Sequence, residues 1–399
     1  MSKNMIQWLE IGDLDIHISD GNYSSKYPRS EEFIESGVPF IRANNLVNKS
    51  ISDEEMYFIS PQKHGLLKKG HLKTNDVLIS TRGDLGKVAL VPKRYNDSNI
   101  NAQLVLLRPN PHKIDPLYLL YCFEGDRVKG QISQLQTGTA LKQLPVGNLK
   151  RIKIPLPPLE EQRRIAAILD KADGVRRKRK EAIRLTEELL KSTFLEMFGD
   201  PVTNPKGWEV TILRDVCKKV TDGTHHMPKT VEKGIPILRA LNIKKDKVET
   251  SNLLYISEED YQKISKRSPL DKGDVLLTCL GTIGNVAIFN EDSNFSLVRN
   301  IALLKPNYKK TTSEFLKFIL KTDYLQRQIK SRSKQSSQAA LYIGEIEQLK
   351  IFLPPIELQR KYSNLSQEIN DLHKKLEQDE FYQDNLFNSL LQKAFRGEL

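Results

Sequence analysis

The chain repeats itself, and this constrains its fold more than any other feature. GVPFIRANNL at Gly37 to Leu46 returns as GIPILRALNI at Gly234 to Ile243. NDVLISTRGDLGKVAL (Asn75 to Leu90) returns as GDVLLTCLGTIGNVAI (Gly273 to Ile288), and LLRPN at Leu106 to Asn110 as LLKPN at Leu303 to Asn307. LKRIKIPLPPLEEQR (Leu149 to Arg163) returns as IEQLKIFLPPIELQR (Ile346 to Arg360). These shifts are all 197 or 198 residues, whereas Ser19-Asp-Gly21 and Thr221-Asp-Gly223 lie 202 apart. The first copy therefore carries about five extra residues between Gly21 and Gly37. One register held over so many segments marks a duplication.

Each copy has two parts. The first, about 150 residues, alternates short β-like runs such as VLIS and VALV with Gly and Pro. The second is about 40 residues of helical pattern without an internal proline. A double proline, Pro157–Pro158 or Pro354–Pro355, marks the joint, since proline interrupts a strand ladder but suits the start of a helix. This divides the chain into globular segments 1–157 and 201–354 and helical segments 158–200 and 355–399. In the first helix Ile165, Ile168, Ala172, Val175, Arg179, Ala182, Thr186, Leu189 and Thr193 recur by three and four. In the second, Tyr362, Leu365, Ile369, Leu372, Leu376, Asp379, Gln383, Leu386 and Leu390 do the same. That is the pattern of a coiled-coil seam. Trp8 near the start takes the place of Trp208 after the first helix, so the two ends look like the sides of one cut joint. Such pseudo-two-fold symmetry predicts antiparallel helices, whose polar midpoints would bring Arg179 near Asp379.

The 399 residues carry 62 Lys and Arg against 50 Asp and Glu, a net charge of +12. Segment 1–157 holds 21 basic and 16 acidic residues, and segment 201–354 holds 25 and 17. The helical segments are close to neutral. The excess thus sits on the globular copies, as expected if they meet phosphate while the helices meet protein. The run Arg176–Lys180 (RRKRK) is the exception, read either as a solvated helix face or as a helix crossing a nucleic-acid backbone. Cys122, Cys217 and Cys279 are far apart and form no CxxC pair, which points to a reducing compartment. With no secretory signal pattern and no long apolar run, a cytoplasmic protein is expected.

Catalytic constellations do not emerge. GDLGK at Gly83–Lys87 is too short for a Walker loop and lacks its hydroxyl. No GxGxxG, HExxH or GxSxG pattern occurs, and the adjacent pair His225–His226 lacks the spacing usual for metal ligands. Neither a metal nor a catalytic residue is expected in this chain.

PLPPLEEQRRIAAILD (Pro155 to Asp170), the closing LLQKAFRGEL and the duplicated G-[VI]-P-[FI]-[IL]-R-A blocks resemble the specificity subunit of type I restriction-modification enzymes, over the whole chain. The resemblance implies an α+β protein: two similar α/β target-recognition domains joined by two long antiparallel coiled-coil helices, in a pseudo-two-fold internal repeat. Each domain would read one half of an interrupted, asymmetric double-stranded DNA site. The helices would act as a ruler and as the dock for two modification (methyltransferase) subunits, with restriction motor-nuclease subunits joining through the complex. S-adenosylmethionine, ATP and Mg would then belong to those partners. Equivalent subunits of type IIB or other restriction systems share these features.

If the copies read different half-sites, positions identical in both cannot encode the difference. Arg42 and Arg239, like Asn45 and Asn242, therefore suit the fold or phosphate contact better than base reading. Base readers are expected where the copies diverge. One such place follows the shared Asp-Gly, with Thr224, His225, His226 and Lys229 in the second copy. Another is the hairpin, with Arg82 and Lys87 in one copy and Asn285 in the other. The third precedes the joint, with Lys142 and Gln143 against Gln335, Ser336 and Gln338. Several of these side chains match guanine or adenine edges in a major groove. Ile165, Ile168, Val175, Arg179, Leu189, Ile369, Leu372, Leu376, Asp379, Leu386 and Leu390 are the spacer and docking candidates.

Overall fold

The structure, a computed structural model, describes residues 6–21, 25–139, 141–244, 246–333 and 339–399. The chain forms two compact units, one of Met1–Ala182 with Leu376–Leu399 and the other of Ile183–Lys375. Division by contact thus differs from division by chain order, because each long helix gives one half to each unit.

In the first unit a central antiparallel sheet runs in the order Ile16–Asp20, Leu104–Pro109, Val77–Ser80, Val88–Leu90. Both faces of this sheet are covered, so its strands read as continuous apolar runs. Side chains alternate between the faces: Val77, Ile79, Val105 and Leu107 meet a core that includes the helix Pro116–Cys122 and the start of the long helix, while Leu78, Leu104 and Leu106 meet a separate core with Ile41, Leu46 and Ile100. A small sheet lies beyond, in the order Asn99–Ile100, Val38–Ile41, Tyr57–Ile59, Phe33–Ile34. The second unit repeats the plan. Its central sheet runs Cys217–Asp222, Ile301–Pro306, Val275–Leu280, Thr282–Ile288. Val275 and Leu277 face one core and Leu276 the other. The shared Asp-Gly has a steric cause: a Cβ on Gly21 would lie 2.2 Å from the Asn101 carbonyl oxygen, and one on Gly223 2.1 Å from that of Leu297.

The long helices are Leu159–Phe198 and Ile356–Arg396, each about 60 Å long. Each is tied to its globular part by a buried glutamine. Gln162 Nε2 donates to the carbonyls of Lys113 (3.1 Å) and Pro157 (2.9 Å), and its Oε1 accepts from the Asp115 N–H (3.0 Å). Gln359 Nε2 donates to Lys310 (3.1 Å) and Pro354 (2.8 Å), and its Oε1 accepts from Thr312 N–H (3.1 Å) and the Thr311 hydroxyl (3.0 Å). Both side chains are almost fully buried.

Within each unit the two helix halves pair antiparallel. In the first, Arg179 is bonded to Asp379, Arg176 Nε donates to Asp384 (2.6 Å), and Lys180 lies 3.7 Å from Glu380. In the second, the Thr186 hydroxyl and His373 Nδ1 are 2.7 Å apart, and Phe194 meets the Tyr362 ring edge-on at 5.6 Å. Within the Arg176–Lys180 run, Arg176, Arg177 and Arg179 are thus half-buried and held by ion pairs, while Lys178 and Lys180 are exposed. Arg176 and Arg177 also reach the buried Asp173 (3.3 and 3.4 Å), which accepts from Lys49 at 2.9 Å.

The seam is phased differently from the sequence reading. Ile165, Ile369 and Thr186 are buried and Ile168, Leu376 and Leu390 are half-buried, but Val175, Leu189, Leu365, Leu372 and Leu386 are exposed. Besides Ile165, Tyr362 and Ile369, which the sequence also places in the seam, the covered face takes in Leu169, Asp173, Arg176 and Phe194 on one helix and Ser366, Phe387 and Leu391 on the other. Charged residues held by ion pairs occupy places that a purely apolar reading gives to valine and leucine.

Gln162→Ala should destabilise the first unit and Gln359→Ala the second, each by about 1–3 kcal/mol, because buried backbone groups lose their partners. Denaturant-dependent hydrogen exchange, resolved by unit, measures this; loss confined to the wrong unit, or no loss, contradicts the assignment.

Candidate nucleic-acid interface

The segments where the copies diverge are brought together by backbone pairing, in the same way in both. In the first unit Arg82 and Gln143 form an antiparallel bridge, Gly83 N–H donates to Lys142 (3.3 Å), and Leu144 N–H donates to Thr81 (2.9 Å). In the second, Leu280 bridges Ala340, Gly281 N–H donates to Ala339 (3.1 Å), and Leu341 N–H donates to Cys279 (2.8 Å). Main-chain bonds do not depend on side-chain identity, so this docking survives while the side chains around it change. The hairpin and the segment before the joint thus share one surface. Arg82 is half-buried there, while Lys87, paired with Asp84 at 2.9 Å, and Lys142 are exposed.

The second unit adds the segment after the shared Asp-Gly. Thr224 N–H donates to Leu297 (2.8 Å) and Arg299 N–H to Thr224 (2.9 Å), which seats this segment against the sheet. The result is an open cleft of about 590 Å³, lined among others by Asp222, His225, Arg267, Leu280, Arg299 and Tyr342. Asp222 holds Arg267 at 2.7 Å and His225 at 3.2 Å. The exposed guanidinium is therefore held in place on the wall of this cleft, which Arg299 also lines. Cys279 also lines the cleft, but burial, with the nearby Asp222 charge, pushes its thiol up to about 12, so it stays protonated and is no nucleophile.

Other sequence candidates fall elsewhere. Asn45 and Asn242 are buried: each side-chain oxygen accepts from the preceding arginine's N–H at 3.0 Å and each amide donates to carbonyls of the following turn. They belong to the fold and do not reach a ligand. Arg42 lies 3.5 Å from the centre of the Tyr57 ring and donates to the Glu55 carbonyl (2.6 Å), and Arg239 reaches the Asn252 carbonyl at 3.4 Å. Asn285 donates to the Ile243 carbonyl (3.0 Å), so its amide is committed to the scaffold. Thr224 is half-buried; His226 and Lys229 are exposed. Gln335, Ser336 and Gln338 lie outside the described residues. Arg267 and Arg299 were missed, although the repeat carried the signal: they replace Lys69 and Ala102 at matched positions. Lys69 likewise pairs with the shared aspartate, Asp20, at 3.2 Å.

A family model described as "Type I restriction modification DNA specificity domain" matches twice, at residues 12–185 and 205–379. The chain belongs to the type I restriction-modification specificity family. It is similar to the EcoBI specificity subunit of Escherichia coli, at 25% identity over 93% of this chain and 82% of that protein. A putative specificity subunit, MjaX of Methanocaldococcus jannaschii, is 28% identical over 90% and 88% of the two chains. The crystal structure of a type I S subunit from M. genitalium shares the fold, with a TM-score of 0.62 at 17% identity and 99% of this chain covered. The two globular parts are accordingly the target-recognition domains of a specificity subunit. No helix among the described residues is long and apolar enough to cross a membrane.

Arg267→Ala should alter recognition of one half of a target and leave the other unchanged, costing about 1–3 kcal/mol if the guanidinium meets a base edge. Binding measured against a library varied at each base pair tests this. Uniform weakening at every sequence would instead assign Arg267 to phosphate.

Proposed function

We propose that each target-recognition domain reads one half of a bipartite double-stranded DNA site and that the helix pair sets the distance between the halves. The carrying observation is the backbone docking that gathers the divergent segments onto one surface in both copies. A shared scaffold presents different side chains, as reading two unlike half-sites requires. The basic excess on the globular parts supplies phosphate attraction, and affinity should fall with salt accordingly. The polar contacts Arg179–Asp379 and Thr186–His373 fix the axial register of the helices at some cost in stability. Methylation and cleavage, with S-adenosylmethionine, ATP and Mg, fall to modification and motor-nuclease subunits, two modification subunits meeting one chain.

The helices also offer what such partners would bind. Phe381 and Tyr382 are 65% and 69% exposed, and Val175, Leu189, Leu372 and Leu386 are open on the same helices. Large exposed apolar side chains on a helix suit a protein partner.

Exchanging residues 1–157 for the first domain of another family member should change one half of the recognised site and leave the second half and the spacer as they were. A change in both halves would refute independent reading. Phe381→Ala combined with Tyr382→Ala should weaken capture of modification subunits at least about tenfold, with DNA affinity of the isolated chain unaltered. Equal loss of both would place the two rings in DNA binding or in the fold.

A further inference from the structure

Between the two sheets' edges in the first unit, three segments converge. Ser60 caps the short helix Pro61–Leu66, its hydroxyl oxygen accepting from Lys63 N–H at 3.1 Å, and that helix carries His64. The chain then returns so that His71 bridges Asn99, Asp97 N–H donates to Leu72 (2.8 Å) and Ile100 N–H donates to Gly70 (3.0 Å). These main-chain bonds fix His71 beside Asp97, and the His64 ring joins them through its contact with Asn99. His64 Nε2 lies 3.4 Å and His71 Nδ1 3.7 Å from the same carboxylate oxygen, Asp97 Oδ1, and the imidazole centroids are 4.5 Å apart.

The outer nitrogens decide the chemistry of the inner ones. His71 Nε2 is 2.5 Å from the Leu67 carbonyl, and His64 Nδ1 contacts the side-chain oxygen of Asn99. The Leu67 carbonyl can only accept, and with the Asn99 oxygen turned to His64 both outer nitrogens carry the hydrogen. In the neutral rings the inner nitrogens then present lone pairs, and both face a carboxylate. Two lone pairs and an anion around one point suit a cation between them. Outer hydrogen bonds of this kind are also what orient histidine toward a metal.

We propose that His64, His71 and Asp97 bind a divalent transition-metal ion of the zinc class. Ligands at about 2.0–2.2 Å from a tetrahedral zinc lie roughly 3.3–3.6 Å apart, close to the separations of Asp97 Oδ1 from the two imidazoles. Two imidazoles and a carboxylate are a borderline donor set, suited to Zn, Co or Ni better than to Mg or Ca. The Asp97 carboxylate is 71% exposed, which leaves room for water as a further ligand. The second copy carries Tyr261, Pro269 and Asn294 at the matching positions, so the site belongs to the first domain alone and is no part of the duplicated scaffold. It departs from the expectation that this chain has no metal ligands. Its position gives it a structural consequence: a Cβ on Gly70 would lie 3.3 Å from Gly21 Cα, so the bound ion would brace the root of the divergent segment that follows Gly21.

The test uses the full chain without an affinity tag, stripped by a chelator. Calorimetry with Zn²⁺, and the visible absorption of Co²⁺, should show one equivalent bound, with a rise in Tm. His71→Ala should weaken binding at least about tenfold. Asp97→Asn should do the same without disturbing the backbone, since Asp97 has φ +63° and asparagine tolerates that region. His225→Ala with His226→Ala should leave the equivalent in place. Absence of stoichiometric uptake would mean that a proton fills the gap and would overturn the proposal. So would uptake that survives both His71→Ala and Asp97→Asn.

Discussion

The architecture depends on the two buried glutamines at the joints. A helix about 60 Å long can orient a domain only if its first turn is rigidly held by that domain. Gln162 and Gln359 do this by bonding main-chain groups on both sides of the joint: the carbonyl before the helix and the turn that starts the helix Pro116–Cys122, or its counterpart Ser313–Lys321. A glutamine suits the task because its amide both donates and accepts, so one side chain satisfies groups of opposite kind. The diproline just before it supplies no competing N–H.

The helix pair continues this logic with charge. Its covered stripe is apolar near each joint, where Leu169 and Phe194 are buried, and polar toward the middle. Asp173, buried and met by Lys49, Arg176 and Arg177, ties the stripe to the globular part, while Arg176–Asp384 and Arg179–Asp379 tie helix to helix. An apolar seam tolerates a slip of a few residues with modest loss. A seam whose cations each have one opposite partner does not, because a slip leaves charges unpaired in a partly covered place. Register is therefore specified most strongly where packing alone would specify it least.

Much of this was legible in the sequence, because duplication reports symmetry directly. The joints, the strands and the Arg179–Asp379 contact follow from the register of the repeat and the meeting of helix midpoints. The phase of the seam was not legible. Val175, Leu189, Leu372 and Leu386 fit the three-four spacing, but the buried line runs through Asp173 and Arg176, whose charges argue for exposure until their partners on distant segments are known. Asn285 misled in the opposite sense, while Asn45 and Asn242, expected to serve the fold or phosphate, serve the fold. Their amides serve carbonyls brought close by folding, so polar side chains that suggest a ligand are consumed by the scaffold. Arg267, in a turn, sits beside the cleft because Asp222 holds it from a strand, a contact no local pattern announces.

The same comparison explains how one fold carries two specificities. Positions that the copies share are those where a carbonyl, a buried amide or a close approach leaves one residue type: Gly21 and Gly223, Asn45 and Asn242, Gln162 and Gln359. Positions that differ lie on segments joined to each other by main-chain bonds, at the Arg82–Gln143 and Leu280–Ala340 bridges. There a substitution can change the exposed chemistry while the main-chain bonds between the segments stay. Even the contact between the shared aspartate and its cation keeps its place while changing its character, from Asp20–Lys69 to Asp222–Arg267. An ammonium offers a point charge, whereas a guanidinium offers a planar fork that can grip two acceptors at once. A single exchange at one matched position thus replaces a point charge with a planar fork beside the same aspartate.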